Sequence, residues 1–186
     1  STLASMQNLA VAWGDLGHLD KSRELLEEVL RVRRQVLGPE HFDTIHAMDG
    51  YATCLMALGR YDEARDLYEK VLYLRRTHGG VNHHATVHAM LNLANVYGRL
   101  RRTAEACKLE EEALRSLEKR LGADHPRTLI SMNNLAQSYC ELGRHDDALE
   151  LSREVLRRRQ AKLGATHPDT LASMHNIAVI CFEIGR

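Results

Sequence analysis

An unbroken 42-residue period is the feature of this sequence that most constrains its fold. Threonine recurs at this spacing with no insertion or deletion, as Thr2, Thr44, Thr86, Thr128 and Thr170. If each threonine is counted as position 0, position 4 is methionine and position 8 is alanine in all five copies. A fixed period of this length indicates stacked repeats, because one unit cannot bury its apolar surface alone. We therefore place repeats at residues 2–43, 44–85, 86–127 and 128–169, followed by a partial copy at 170–186.

The apolar residues inside each copy predict two helices. Positions 4, 7, 8, 11 and 14 are mostly apolar and lie on one face of a first helix, helix A. Position 15 is glycine in four copies, where a helix ends through a left-handed residue. A second apolar series at positions 20, 23, 27 and 28 begins with acidic residues and ends with basic ones, which is the order that a helix dipole favours. This is helix B. Each repeat is predicted to be a helical hairpin, and the partial copy adds a ninth helix.

The repeat pattern resembles a known family. A small residue at position 8, an aromatic residue at 11, glycine at 15, alanine at 20 and an apolar residue at 27 resemble the tetratricopeptide repeat. The longer unit "LGADHPRTLISMNNLAQSYCELGRHDDALELSREVLRRRQAKLG" is similar to the 42-residue repeats of kinesin light chains. Two departures are methionine instead of tryptophan at position 4 and Arg101 instead of glycine at position 15. Armadillo and HEAT repeats have comparable periods, but the small residues at positions 8, 15 and 20 favour the tetratricopeptide interpretation.

This resemblance implies an all-α fold, a right-handed solenoid of helix-turn-helix repeats with a concave and a convex surface. We expect residues 1–186 to form a single repeat domain. We also expect the chain to be part of a longer protein, since Ser1 lacks the usual lead-in to helix A and Arg186 follows a helix A that has no helix B.

Composition narrows the possible partners. Lys plus Arg and Asp plus Glu number 25 each, so the overall charge favours neither nucleic acid nor an anionic membrane. The chain has no apolar run long enough to span a bilayer, and its N-terminus lacks the order of a signal peptide. The four cysteines form no CxxC pair and lie in apolar helical patterns, so we expect reduced thiols. We predict a soluble, cytoplasmic protein without a cofactor.

Asparagine at position 6 raises a question of function. Asn8, Asn92, Asn134 and Asn176 occupy this position, although asparagine is unfavourable inside a helix. Positions 2, 5, 6, 9, 12 and 13 lie opposite the apolar face, and the resemblance implies that this side lines the concave groove. An amide carries both a donor and an acceptor, so a row of amides suits the backbone of an extended peptide. The alternative is that each asparagine caps or bridges a neighbouring helix and binds nothing.

The remaining groove candidates are polar with little net charge. They are Asn133, Asn95, Gln137, His46, His88, Leu91, Arg99, Asp49, Thr53 and His175. Leu91, Met56 and Phe182 are candidates for apolar pockets that hold an anchor residue of a peptide; alternatively, Met56 and Phe182 belong to the core.

Other classes of function find less support. His41, His83, His125 and His167 all occupy position 39, which indicates a structural cap before helix A and argues against a metal site. The arginine runs are more typical of the last turns of helix B than of nucleic-acid contacts. The sequence has no phosphate loop, nucleophile elbow or strand pattern, so we predict no enzyme. We predict a module that binds a peptide segment of a cargo or adaptor protein. The alternative is a structural or sensor arm of a larger signalling or scaffold protein, acting through intramolecular or homotypic contacts.

Overall fold

The computed structural model describes residues 2–185, except for the side chain of Glu183. Nine α-helices make up the described range. They are α1 (Thr2–Asp15), α2 (Leu19–Leu37), α3 (Phe42–Ala57), α4 (Tyr61–Gly79), α5 (His84–Arg99), α6 (Thr103–Leu121), α7 (Pro126–Glu141), α8 (His145–Leu163) and α9 (Pro168–Glu183). Odd-numbered helices are the predicted helices A and even-numbered helices are the predicted helices B. The all-helical prediction with its 42-residue spacing is confirmed.

The helices form two compact units, Ser1–Leu100 and Arg101–Arg186. In the first unit, α1 packs on α2, α2 on α3, α3 on α4 and α4 on α5. In the second unit, α6 to α9 pack in the same sequential way. Helices α3 and α7 therefore each contact both the preceding and the following helix B.

A histidine caps the start of each helix A after α1. In each case the Nδ1 atom of the ring accepts a hydrogen bond from the backbone N–H two residues later. The distance is 3.1 Å at His41, 3.4 Å at His83, 3.2 Å at His125 and 3.2 Å at His167. These rings satisfy a donor that the helix leaves without a partner at its first turn. The cap predicted for position 39 is therefore present at all four sites.

Two kinds of turn join the helices, and both use a positive φ. At the end of helix A, position 15 has φ between 69° and 80° at Gly17, Gly59, Gly143 and Gly185, while Arg101 adopts φ 60°. Between hairpins, Gly38, Gly80, Gly122 and Gly164 combine φ of 75° to 91° with ψ of 160° to 170°. A non-glycine residue can occupy the first conformation at some cost, but the second is open essentially to glycine alone.

The core covers more of helix A than the sequence pattern predicted. Met48, Met90 and Met132 at position 4 are at most 2% exposed, as predicted. Positions 1, 3 and 10 are buried as well; they hold Ile45, Ala47 and Cys54 in α3, and Leu129, Ser131 and Ser138 in α7. These residues form a second buried side because α3 and α7 each lie between two helices B.

Arginines near the end of helix B join one hairpin to the next. Arg33, Arg75 and Arg159 share position 31 and donate through Nη1 to the backbone carbonyls of Asp43, Ala85 and Asp169, at 2.9, 2.8 and 2.9 Å. The equivalent residue of the third repeat is Leu117. These arginines do lie in the last turns of helix B, as predicted, but they bind the first turn of the following helix A.

Candidate functional site

The candidate residues of the first unit lie on α1, α3 and α5. Asn8, His46, Thr53, His88, Asn95 and Arg99 are exposed, whereas Asp49, Leu91 and Asn92 are half-buried. Gln7, at position 5 of α1, is buried. The side of helix A that was predicted to face a ligand is thus open to solvent at positions 2 and 9 and more enclosed at position 5.

Asp49 is the centre of a polar network on this face. Its carboxylate accepts a hydrogen bond from Arg75 Nη2 at 3.3 Å and one from Asn92 Nδ2 at 3.4 Å. The Nδ1 atom of His88 lies 3.9 Å from the same carboxylate and 3.3 Å from Asn92 Nδ2. The side chains of Asp49 and Arg75 are 14% and 12% exposed. Asn92 therefore bridges α5 to α3, which is the structural role considered for asparagine at this position.

Two further contacts tie this face together. Gln7 Nε2 donates to His46 Nδ1 at 3.0 Å and so joins α1 to α3. The hydroxyls of Thr53 and Tyr68 lie 2.8 Å apart. Burial raises the pKa of Tyr68 to about 12, against a smaller opposing effect of the Thr53 hydrogen bond, so the phenol stays neutral at physiological pH.

The candidate residues of the second unit form fewer side-chain hydrogen bonds within the described part of the chain. Asn134 and Gln137 on α7 and His175 and Asn176 on α9 are exposed, and Asn133 is half-buried. Within residues 2–185, the side-chain amides of Asn134 and Asn176 form no hydrogen bond. Apolar surface lies on the same two helices, with Ile130 53%, Val179 42% and Phe182 86% exposed.

The proposed apolar anchor positions differ from one another. Phe182 is almost fully exposed, while Met56 and Leu91 are half-buried. Cys140 shares position 12 with Met56 and Phe182 but is buried. Position 12 is therefore not part of a uniform surface, because its exposure depends on the neighbouring helix.

The described residues also bear on metal sites and membrane spans. No cluster of three or more histidine, cysteine or carboxylate side chains there has the arrangement of a metal site. None of the helices in that range is both long and apolar enough to cross a membrane.

The fold is shared with solved repeat proteins. A crystal structure of a kinesin light chain candidate from Podospora anserina, with nearly identical TPR-like repeats, has a TM-score of 0.92 and 28% sequence identity, covering 99% of this chain and 87% of that chain. A variant of that protein has the same TM-score and coverage at 29% identity. BtubC (BKLC) from P. vanneervenii has a TM-score of 0.82 at 24% identity, covers 97% of this chain and 72% of its own, and shows likeness of fold alone. A search of the curated proteins found no match.

The family itself is shown by matches that extend over most of the chain. The tetratricopeptide repeat model matches residues 2–77, 47–119, 85–161 and 127–186. These overlapping matches agree with the hairpins, the 42-residue spacing and the small residues described above. The chain belongs to the tetratricopeptide repeat family.

Proposed function

We propose that the face formed by positions 2, 5, 6 and 9 of helix A binds an extended peptide segment of a partner protein. Tetratricopeptide repeats typically mediate protein–protein interaction, and the likeness to kinesin light chain repeats favours a partner of the cargo or adaptor type. The free thiols and the balanced charge are consistent with a cytoplasmic protein.

The observation that carries this proposal is the pair of exposed amides in the second unit. Asn134 and Asn176 lie inside helices, where asparagine is less favourable than alanine by several tenths of a kcal/mol. In the described part of the chain, neither side chain offsets this cost with a hydrogen bond. Each amide offers a donor and an acceptor to a ligand, which is the pairing that a peptide backbone needs. Asn92 is a weaker candidate because it already bonds to Asp49.

The test is a peptide selection followed by a double substitution. Peptides selected from a displayed random library on the wild-type chain would be titrated against Asn134→Ala/Asn176→Ala. Two lost hydrogen bonds of about 1 kcal/mol each correspond to an affinity lower by roughly 30-fold. The melting temperature should not fall, because alanine favours helix.

The matched control is Gln160→Ala, which removes an exposed amide from α8. It should change neither affinity nor stability. Unchanged affinity of the double variant, or failure to select any peptide, would contradict the proposal.

A homotypic or intramolecular arm is the second candidate function. Exposed apolar residues on α9 favour it, since Leu171 is 52% and Phe182 86% exposed. On α1, Leu9 and Val11 are 46% and 54% exposed. Sedimentation across micromolar concentrations separates the two functions, because self-association predicts a mass that rises with concentration and peptide binding alone predicts a constant monomer mass.

A further inference from the structure

A cavity of about 370 Å³ opens in the first unit. It lies between the first turn of α3, the last turn of α4 and the cap of α5. Its wall includes Phe42, Ile45, His46, His78, Gly79 and His83, and these residues define what is called here the joint pocket. Of them, only His46 belongs to the face predicted to bind peptide, so the joint pocket adjoins that face at position 2.

The joint pocket exists where the chain departs from its own repeat. Position 35 is leucine at Leu37, Leu121 and Leu163 but glycine at Gly79. Position 40 is His84, Pro126 and Pro168 in the later repeats but phenylalanine at Phe42. Residue 79 therefore lacks the side chain that the other repeats carry at this position, and a large aromatic ring stands beside the space. Phe42 is 72% exposed, although a ring of this size is normally buried.

The geometry at Gly79 shows how the space is kept open. A Cβ atom added there would lie 3.0 Å from His83 Cγ and 3.1 Å from its Cβ. The His83 ring also accepts the capping bond from Ala85 N at 3.4 Å, so a side chain at residue 79 would require this ring to shift. A leucine at this position would therefore crowd the ring and occupy part of the pocket.

The half-buried charge of the wall already has partners in the protein. Arg75 donates to the carboxylate of Asp49 and to the carbonyl of Ala85. The other charged side chain of the wall, Glu40, is 68% exposed. An anionic occupant would have to displace Asp49 from Arg75, and a cationic one would lie beside the Arg75 guanidinium, so the joint pocket suits an uncharged side chain.

The histidine rings supply polar atoms with defined roles. Nδ1 of His46 and Nδ1 of His83 accept hydrogen bonds, so in the neutral rings Nε2 carries the proton and donates. His78 donates through Nδ1 to the carbonyl of Leu74, which leaves its Nε2 as an acceptor in the neutral ring. An apolar wall with a few donors and an acceptor is the usual composition of a pocket that holds one residue of a peptide.

We propose that the joint pocket takes one uncharged, apolar side chain of the partner peptide, because Gly79 and Phe42 create an apolar space where the other repeats carry a leucine. This inference rests on the proposed function and gives the peptide an anchor residue beside the face of helix A. The joint pocket would then select a side chain of that peptide.

The first experiment uses small probes. N-acetyl-leucinamide and N-acetyl-phenylalaninamide would be titrated into the 186-residue chain, with N-acetyl-serinamide as the polar comparison. NMR shifts of the Gly79 and Ala85 amides would report binding. We expect saturable shifts with the apolar probes and none with the serine probe. Absence of shifts, or equal shifts with all three probes, would overturn the inference.

Two variants and a control locate the binding. Gly79→Leu fills the pocket and Phe42→Ser removes its exposed wall, so each should weaken the apolar probes at least tenfold. If Gly79→Leu fails to fold, Phe42→Ser still tests the site. Phe42 is largely exposed, so its replacement should not disturb folding. Tyr73→Ser removes an aromatic side chain of α4 that is 67% exposed and lies outside the wall, and it should bind like the wild type. Unchanged binding by Phe42→Ser would refute the site.

The second experiment separates failure of this inference from failure of the proposed function. Selected peptides would be scanned with alanine, and the residue with the largest effect would be combined with Phe42→Ser in a double-mutant cycle. Coupling supports the joint pocket as the anchor site. Peptides that depend on Asn134 and Asn176 but show no coupling to Phe42 would overturn the joint pocket and leave the proposed function intact.

Discussion

Equivalent positions of helix A are used differently in the two units. In the first unit, Asp49 at position 5 and Asn92 at position 6 bond to one another, and Asp49 also bonds to Arg75. In the second unit, Asn133 and Asn134 hold the same positions on α7, and Asn134 makes no side-chain bond within the described range. A repeat position thus does not have one role, because the residue opposite it decides whether its polar group is used inside the protein or left for a ligand.

The largest expected effect is the loss of Asp49. Asp49→Ala would leave the Arg75 guanidinium, which is 12% exposed, without its carboxylate, and would take the acceptor from Asn92. We expect the free energy of unfolding to fall by about 2 kcal/mol. Chemical denaturation measures this.

The control for Asp49 is Glu27→Ala, which removes the exposed ion pair between Glu27 and Arg23 at 2.8 Å. Exposed pairs contribute little, so its midpoint should barely move. Equal midpoints for Asp49→Ala and Glu27→Ala would show that the network of the first unit contributes no more than a surface pair.

The two asparagines give the most direct test of the comparison. Asn92→Ala removes bonds to Asp49 and His88 and should lower stability by about 0.5–1 kcal/mol, after allowing for the helix preference of alanine. Asn134→Ala removes no internal bond and should raise stability by up to about 0.5 kcal/mol. Thermal melting of both variants in one buffer gives the sign of each change. Stability changes of the same sign in both variants would contradict the proposed difference between the units.

The backbone offers a third contrast. The hairpin turns of the first unit use Gly17 and Gly59, whereas the second unit begins with Arg101 at φ 60°. Arg101→Gly should stabilise the fold by up to about 1 kcal/mol, because the left-handed conformation costs a non-glycine residue about that much. The greater entropy of glycine in the unfolded chain limits the gain.

The reciprocal change, Gly59→Arg, should cost a similar amount for the same reason, since no atom lies within 4 Å of a Cβ added there. A destabilising Arg101→Gly would show that the arginine side chain stabilises this turn more than its backbone strains it.

The smallest expected effect concerns a carboxyl of the second unit. Burial raises the pKa of Glu110, a Ser138 hydrogen bond opposes this effect, and Glu141 adds to it. A raised folded-state pKa contributes stability that is complete below the unfolded pKa of about 4.5 and is lost as pH rises through the folded value. Glu110→Gln should therefore gain stability relative to wild type as pH rises through this window. A difference in unfolding free energy that is flat between pH 4 and 7 would contradict this.

Much of the fold was predictable from the repeat alone. The 42-residue period of threonine predicted the bounds of the repeats. Glycines predicted where helices end, and Pro126 and Pro168 predicted where helices begin. Histidine at position 39 identified the caps. These features follow from local backbone chemistry, so a single chain contains enough information to place them.

Partners across helices were not predictable in the same way. The 4-7-8-11-14 pattern showed one apolar face of helix A but not the second buried side, whose small residues at position 3 were a signal that the apolar pattern overlooked. The bond from Asn92 to Asp49 depends on residues 43 apart, and a residue count gives no distance between side chains. For the same reason, the joint pocket was not predicted, although Gly79 in place of leucine was visible in the sequence.

The glycines between hairpins carry a consequence for how such a chain can change by mutation. Any single-nucleotide change that replaces Gly38, Gly80, Gly122 or Gly164 introduces a side chain into a conformation that essentially only glycine adopts. The turns within hairpins are more permissive, as Arg101 demonstrates. Substitutions should therefore be tolerated better at the turns within hairpins than at the junctions between hairpins, so the junction glycines should change least as the 42-residue repeats diverge.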